Sequence, residues 1–227
     1  MIKSFIVVFS ICQLAFAQQN SGSIVYKGQM PVAAPLDSVK TDPIVYDRVK
    51  NLIRTSSNLE FELLYNNEAS KFKMVDKLNL EEEDSYQLSK ALFGSAEYYY
   101  NFQNNVIIKK IQNQNIKLNN NLDWKLSNEN KEINGYICYK ATYLEKFKNK
   151  NGEDAQKTII AWYCPEIPVR IGPEIFNNLP GLIMELNTGL FVYIINKINF
   201  TDEIVSIEVP YENLISQEEF LLKLKRN

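Results

Sequence analysis

The segment from Trp162 to Leu186, WYCPEIPVRIGPEIFNNLPGLIMEL, restricts most strongly what this chain can fold into. Pro165, Pro168, Pro173 and Pro180 remove backbone donors and fix φ, so regular secondary structure cannot run through it unbroken. Gly172 and Gly181 permit turns or close packing, while Ile171, Ile175, Phe176 and Leu179 supply apolar anchors. The pattern reads as a structural elbow rather than a catalytic loop, because Pro/Gly patterning encodes geometry.

The sequence around the elbow is rich in strand patterns. Strands are predicted at Ser23 to Met30, Leu59 to Tyr65, Ser70 to Val75, Glu97 to Phe102 and Val106 to Leu118. Further strands are expected at Trp124 to Leu126, Gly135 to Leu144, Thr158 to Cys164, Leu182 to Leu186, Leu190 to Asn199 and Glu203 to Val209. Turns fall at Asn66-Asn67-Glu68, Asn104-Asn105 and Asn187-Thr188-Gly189. A loop punctuated by Pro31, Pro35 and Pro43 cannot carry a central strand. Short helices are expected at Tyr46 to Arg54, at a turn over Leu88 to Phe93, and at the C-terminus, where Leu214, Leu221, Leu222 and Leu224 suggest an apolar face. Strands outnumber helices, which argues for a mainly β (α+β) chain with a curved antiparallel sheet.

The first residues have the layout of an export signal. Lys3 is followed by an apolar run from Ser4 to Leu14 and by Ala15-Phe16-Ala17, so residues 1–17 read as a signal peptide cleaved before Gln18. Cys12 belongs to the apolar run rather than to a lipoprotein signal. The remaining 18–227 read as one domain, located in the periplasm or associated with the outer membrane. Loss of Lys3 takes the formal charge from −2 to −3, too mild for a nucleic-acid surface. The mature chain has no transmembrane segment, and the regular girdled strands of an outer-membrane barrel are missing. Glu81-Glu82-Glu83-Asp84 and Glu218-Glu219 read as solvated loops or helix starts. Two cysteines remain after cleavage, Cys138 and Cys164, and in an exported protein an even count invites a disulfide; two buried free thiols are the alternative.

Much chemistry is excluded. The chain has no histidine, which removes Ser-His and Cys-His pairs and His-based zinc sites. No phosphate or calcium loop is present, so no cofactor or metal is expected. Ser70-Lys71-Phe72-Lys73 matches Ser-x-x-Lys, but on a strand positions three apart face opposite sides. Asn199-Phe200-Thr201 is a glycosylation sequon that matters only in a eukaryote. Tyr98, Tyr100 and Phe102 share one strand face and suit a core or groove floor.

Trp162-Tyr163, Glu166-Ile167-Pro168, Gly172-Pro173 and Leu179-Pro180-Gly181-Leu182-Ile183 follow, in order and spacing, the pattern of the GLPGLI family of exported Bacteroidetes proteins, which the chain resembles. Trp124-Lys125-Leu126, Ile133-Asn134-Gly135-Tyr136, Cys138 and Lys140-Ala141-Thr142 also fit, so the resemblance covers roughly residues 97–200. Asn178 stands where the family has its first glycine; if that position needs a positive φ, Asn is among the best substitutes. The resemblance implies a sheet like the open barrel of periplasmic lipoprotein carriers and leaves the biochemical role undefined. The expected function is a non-catalytic cell-envelope protein binding an apolar or peptidic ligand, a lipid or peptide, on a concave, aromatic-lined sheet face. The alternative is an interaction module docking onto an outer-membrane protein such as a nutrient transporter. A carboxylate-based hydrolase comes third, with no pair of acids singled out.

Overall fold

The computed structural model describes residues 21–31, 42–76, 84–149 and 151–226. The signal peptide expected at 1–17 and most of the proline-punctuated loop lie outside the described residues. Strand β1 (Ser21–Gln29) leads to helix α1 (Pro43–Ser56), then to β2 (Glu60–Tyr65) and β3 (Ala69–Val75). Helix α2 (Asp84–Phe93) is followed by β4 (Glu97–Asn101), β5 (Val106–Ile111) and β6 (Gln114–Leu118). The second half holds β7 (Lys125–Ile133), β8 (Tyr136–Lys148), β9 (Asp154–Cys164), β10 (Leu182–Asn187) and β11 (Val192–Thr201). The chain closes with β12 (Leu214–Ser216) and helix α3 (Gln217–Arg226).

Several elements differ from the sequence-based expectation. Pro43 opens α1 instead of belonging to a loop: the Asp42 carboxylate accepts from the Ile44 and Val45 N–H groups at 3.0 and 3.2 Å. Proline is at home there because its missing N–H would have no helical partner. The run from Val106 to Leu118 is two strands, broken at Gln112, whose φ of 51° turns the chain inside a β-forming stretch. Residues 203–209 form no strand. Their backbone is held by side chains instead, with Asn66 donating to the Val205 carbonyl at 2.8 Å. Farther along, Asn115 donates to the Glu212 carbonyl at 2.7 Å. The segment thus runs from the β2–β3 turn to β6 and delivers β12 parallel to β6. Ser216 and Glu219 then cap α3 reciprocally, through bonds of 3.0 and 3.1 Å.

All twelve strands among the described residues belong to one sheet, ordered β12-β6-β5-β4-β3-β2-β1-β11-β10-β9-β8-β7, and the sheet is open, not closed into a barrel. Two antiparallel meanders meet at β1, which pairs with β2 on one side and β11 on the other. Consecutive strands β6 and β7 lie near opposite edges, ten positions apart. In a flat sheet that separation would be about 48 Å at ~4.8 Å per strand. The chain from Leu118 to Lys125 can reach no more than ~25 Å. The sheet must therefore curl. Helices α1 and α2 pack together through Thr55 and Ser89, whose hydroxyls meet at 2.9 Å. At the end of α2, Phe93 stacks on Phe191 with centroids 4.0 Å apart.

Candidate functional site

The inner face of the curl carries a run of aromatic rings. Alternation along each strand places Tyr26 of β1, Phe61 of β2, Phe72 of β3 and Tyr193 of β11 in one buried cluster. Phe61 and Phe72 stack at 5.5 Å, and the Tyr193 ring meets them edge-on at 5.0 and 5.6 Å. Ile167, Ile171, Phe176 and Leu179 of the elbow are buried in the same cluster. The centre of the concave face is thus occupied by the chain's own connection between β9 and β10.

The elbow is braced internally. The Leu182 N–H donates to the Ile167 carbonyl at 2.9 Å, Ile183 to Ile171 at 3.0 Å and Asn178 to Arg170 at 3.0 Å. The Arg170 guanidinium returns a bond to the Asn178 carbonyl at 2.9 Å. Asn178 has a φ of 67°, the left-handed conformation for which asparagine substitutes best for glycine. At Gly181 a Cβ would lie 2.1 Å from the Cys164 carbonyl oxygen, so no side chain fits. A Cβ at Gly172 would lie 2.6 Å from Ile183. The elbow is tied to both limbs of the sheet. The Tyr26 hydroxyl donates to the Ile183 carbonyl at 2.7 Å, Trp124 Nε1 to the Asn177 carbonyl at 2.9 Å, and the Tyr100 hydroxyl to Asn178 at 3.3 Å.

Glu174 is the residue that sequence reading missed. It has a φ of 54°, unusual for a glutamate, and its carboxylate accepts a short hydrogen bond from the Tyr193 hydroxyl. Burial raises its pKa; the Tyr193 bond and the charges of Lys109 and Lys157 oppose this, while Glu145 adds to it. The Tyr193 hydroxyl is pushed well above its ordinary value, first by burial and then by Glu174. Tyr98 is also raised, by burial and then by the same carboxylate. The cluster can hold or release one proton at Glu174. A lone acid in the otherwise apolar run IGPEIF was the available signal.

The other singled-out residues fall as follows. Tyr98 and Tyr100 both pack against the core cluster, and Phe102 meets Tyr100 edge-on at 5.1 Å. Ser70 is buried, whereas Lys73 points to Glu62 at 3.9 Å, so the two do not form a site. Trp162 lies under the Lys131 ammonium, 4.5 Å from its ring centroid, and Lys131 pairs with Glu185 at 2.6 Å. The expected disulfide is not present in this structure. Cys138 and Cys164 are free, fully buried thiols, and burial, followed by the neighbouring Cys164, pushes the Cys138 thiol up to about 12. Protonated thiols do not couple by themselves.

One part of the inner face is not covered by the elbow. β7 pairs with β8 only as far as Thr142, and β10 pairs with β9 only from Ile160. Tyr143–Lys148 and Asp154–Ile159 therefore continue as a two-stranded ribbon. Tyr143 and Phe147 lie on its inner face, in line with Tyr139 farther back on the same strand, and Trp124 packs on Tyr143 with centroids 5.8 Å apart. Phe147 is 43% exposed. Among the described residues no group of three or more Cys, Asp or Glu could hold a metal ion, and no helix is long and apolar enough to cross a membrane.

These features define an open, curled sheet, antiparallel but for β12, with an internal proline-rich elbow laid across its aromatic face. Residues 145–185 match the family model described as a protein of unknown function, Porph_ging, which takes in the outer ribbon and the elbow. No curated protein matches the chain. Among solved structures, PNGF-II in the C2 space group is similar at 15% identity and a TM-score of 0.51, over 90% of this chain and 32% of that one. PNGF-II in the P21 space group is similar at 16% identity and a TM-score of 0.49, over 87% of this chain and 31% of that one. The chain thus spans about a third of the length of these solved chains, and the likeness extends to the fold alone.

Proposed function

We propose that the protein is an exported, non-catalytic binding protein of the cell envelope, of the GLPGLI type, that takes an apolar or peptidic ligand along the inner face of β8. The reading narrows the binding surface from the whole concave face to the row Tyr139, Tyr143 and Phe147, because the elbow fills the remainder. The observation that carries it is an aromatic row, half-buried to exposed, continuous with a closed core: Trp124 bridges Tyr143 to Phe176 of the elbow. Large aromatic surface left accessible beside a rigid wall suits ligand capture. Export would place Cys138 and Cys164 in an oxidising compartment.

The test is a mass-spectrometric inventory of lipids and peptides carried by the native protein. Tryptophan fluorescence titration with an extended aromatic peptide and with an anilinonaphthalene sulfonate probe accompanies it. Binding that weakens about tenfold in Phe147→Ala and Tyr143→Ala supports the reading. A protein that carries nothing and shows no fluorescence change with either probe overturns it.

A second reading, a module docking onto an outer-membrane protein, is favoured by the ribbon itself. Its outer edges have no strand neighbour among the described residues, and Leu144 is 42% exposed on its outer face. Free strand edges accept an added strand. Capture of one outer-membrane protein from solubilised membranes by the natural chain, and its loss with Leu144→Ser, would decide for docking over ligand binding.

A further inference from the structure

We infer that Cys138 and Cys164, free thiols in this structure, are joined on oxidation by a cross-strand disulfide that staples the root of the elbow to β8. The inference rests on the export reading only for the source of oxidant; the geometry stands by itself. The β8–β9 register runs Tyr139 opposite Tyr163, Lys140 opposite Trp162 and Ala141 opposite Ala161. The paired residues end at Tyr139 and Tyr163, but both strands continue one residue further, and carrying the register on by that step sets Cys138 opposite Cys164. Opposed residues in such a pair share a face, with Cα atoms about 4.5–5.5 Å apart. A disulfide needs about 4.4–6.8 Å. Both thiols are fully buried.

The location gives the bond a purpose. The elbow leaves β9 immediately after Cys164 and returns at Leu182, which pairs with Cys164. The Ile167 N–H bonds the Cys164 carbonyl at 3.2 Å, and the Gly181 backbone lies against the same carbonyl. Cys164 is therefore where both ends of the elbow meet the sheet. A bond to Cys138 would fix that point to β8 and close a loop of roughly 25 residues, which restricts the unfolded chain.

The step is thiol–disulfide exchange with an exogenous disulfide oxidant. One cysteine thiolate attacks the oxidant's S–S bond, giving a mixed disulfide and releasing one reduced thiol. The second cysteine then attacks the mixed disulfide, forming the Cys138–Cys164 bond and releasing the other half of the oxidant as a thiol. Two protein S–H bonds are lost, and the oxidant gains two hydrogens and two electrons. Exchange requires a thiolate and an in-line approach, which two buried, protonated thiols deny in the folded chain. The bond therefore forms before the elbow docks, and once formed is shielded from reductant.

The experiment unfolds the reduced mature chain in guanidinium and refolds it with a mixture of oxidised and reduced glutathione. Expected are loss of both thiols, a mass decrease of two hydrogens and a cross-linked peptide pair containing Cys138 and Cys164. The thermal midpoint should rise by about 5–10 °C over the reduced form. Folded reduced protein in the same buffer should keep its thiols at least about ten times longer. Thiols that remain alkylatable after refolding, or an oxidised form that melts below the reduced one, overturn the inference. The Cys138→Ala/Cys164→Ala double variant serves as the reference that cannot oxidise. If it does not fold, the oxidised and reduced forms of the natural chain still decide. Cell fractionation tests export separately, and a cytoplasmic location would leave the in-vitro result intact.

Discussion

The two halves of the β8–β9 hairpin share one continuous ladder and have opposite fates. In the inner half, Cys138, Ala141, Ala161 and Cys164 are fully buried, with β7 and β10 on the flanks. The outer half keeps the same pairing but has neither neighbour, and Leu144 and Phe147 are exposed. Its cross-strand ion pairs, Glu145–Lys157 at 3.0 Å and Lys148–Asp154 at 2.6 Å, are on accessible side chains and contribute little. The difference teaches that hydrogen-bonded register does not make a strand part of the core. Lateral neighbours and a covering layer do, because a two-stranded ribbon alone is marginal in water.

The comparison can be broken most forcefully at the elbow's root. Gly181→Ala should cost about 3 kcal/mol or more, since a methyl group cannot coexist with the Cys164 carbonyl. Urea unfolding measures this, and a loss below about 1 kcal/mol would mean that the elbow is not clamped there. Phe176→Ala, which empties a buried elbow position beside Trp124, should cost about 3 kcal/mol in the same assay.

Glu174→Gln has a smaller effect, with a sign set by pH. Because burial raises the folded carboxyl above its unfolded value, folding favours the protonated form. That stabilisation is complete below the unfolded value near pH 4 and is lost as pH rises through the folded value. The natural chain should therefore lose stability relative to the permanently neutral variant between about pH 4 and pH 7. A constant difference across that range would show that Glu174 is as well solvated folded as unfolded. The smallest effect belongs to the outer ribbon. Phe147→Ser should change stability by less than about 0.5 kcal/mol, and its amides should exchange with solvent well before those of residues 136–142. Protection equal to that of the inner half would erase the distinction between the two halves.

Where the sequence was legible, local chemistry and tertiary structure agreed. The elbow could be placed because proline and glycine act on their own backbone, and the positive φ of Asn178 fits its place at a glycine of the family pattern that the chain resembles. Most strands showed through their alternation. The break at Gln112 was hidden because its flanks are strand-forming on both sides, and residues 203–209 alternate like a strand yet are held through Asn66. Glu174 stayed invisible as a site residue because its partner Tyr193 lies on another element, 19 residues later in the chain.

By itself the sequence determined the mainly β character, the position of the elbow and the absence of histidine chemistry, because each follows from residue type and local pattern. Tertiary structure alone decided that β1 would join two meanders and that the elbow would fold inward over the aromatic face. It also brought the ends of β8 and β9 that carry the two cysteines together at the elbow's root. These outcomes depend on how far the sheet curls. Curl is a property of twelve paired strands and a short β6–β7 connection acting together, and no single segment encodes it.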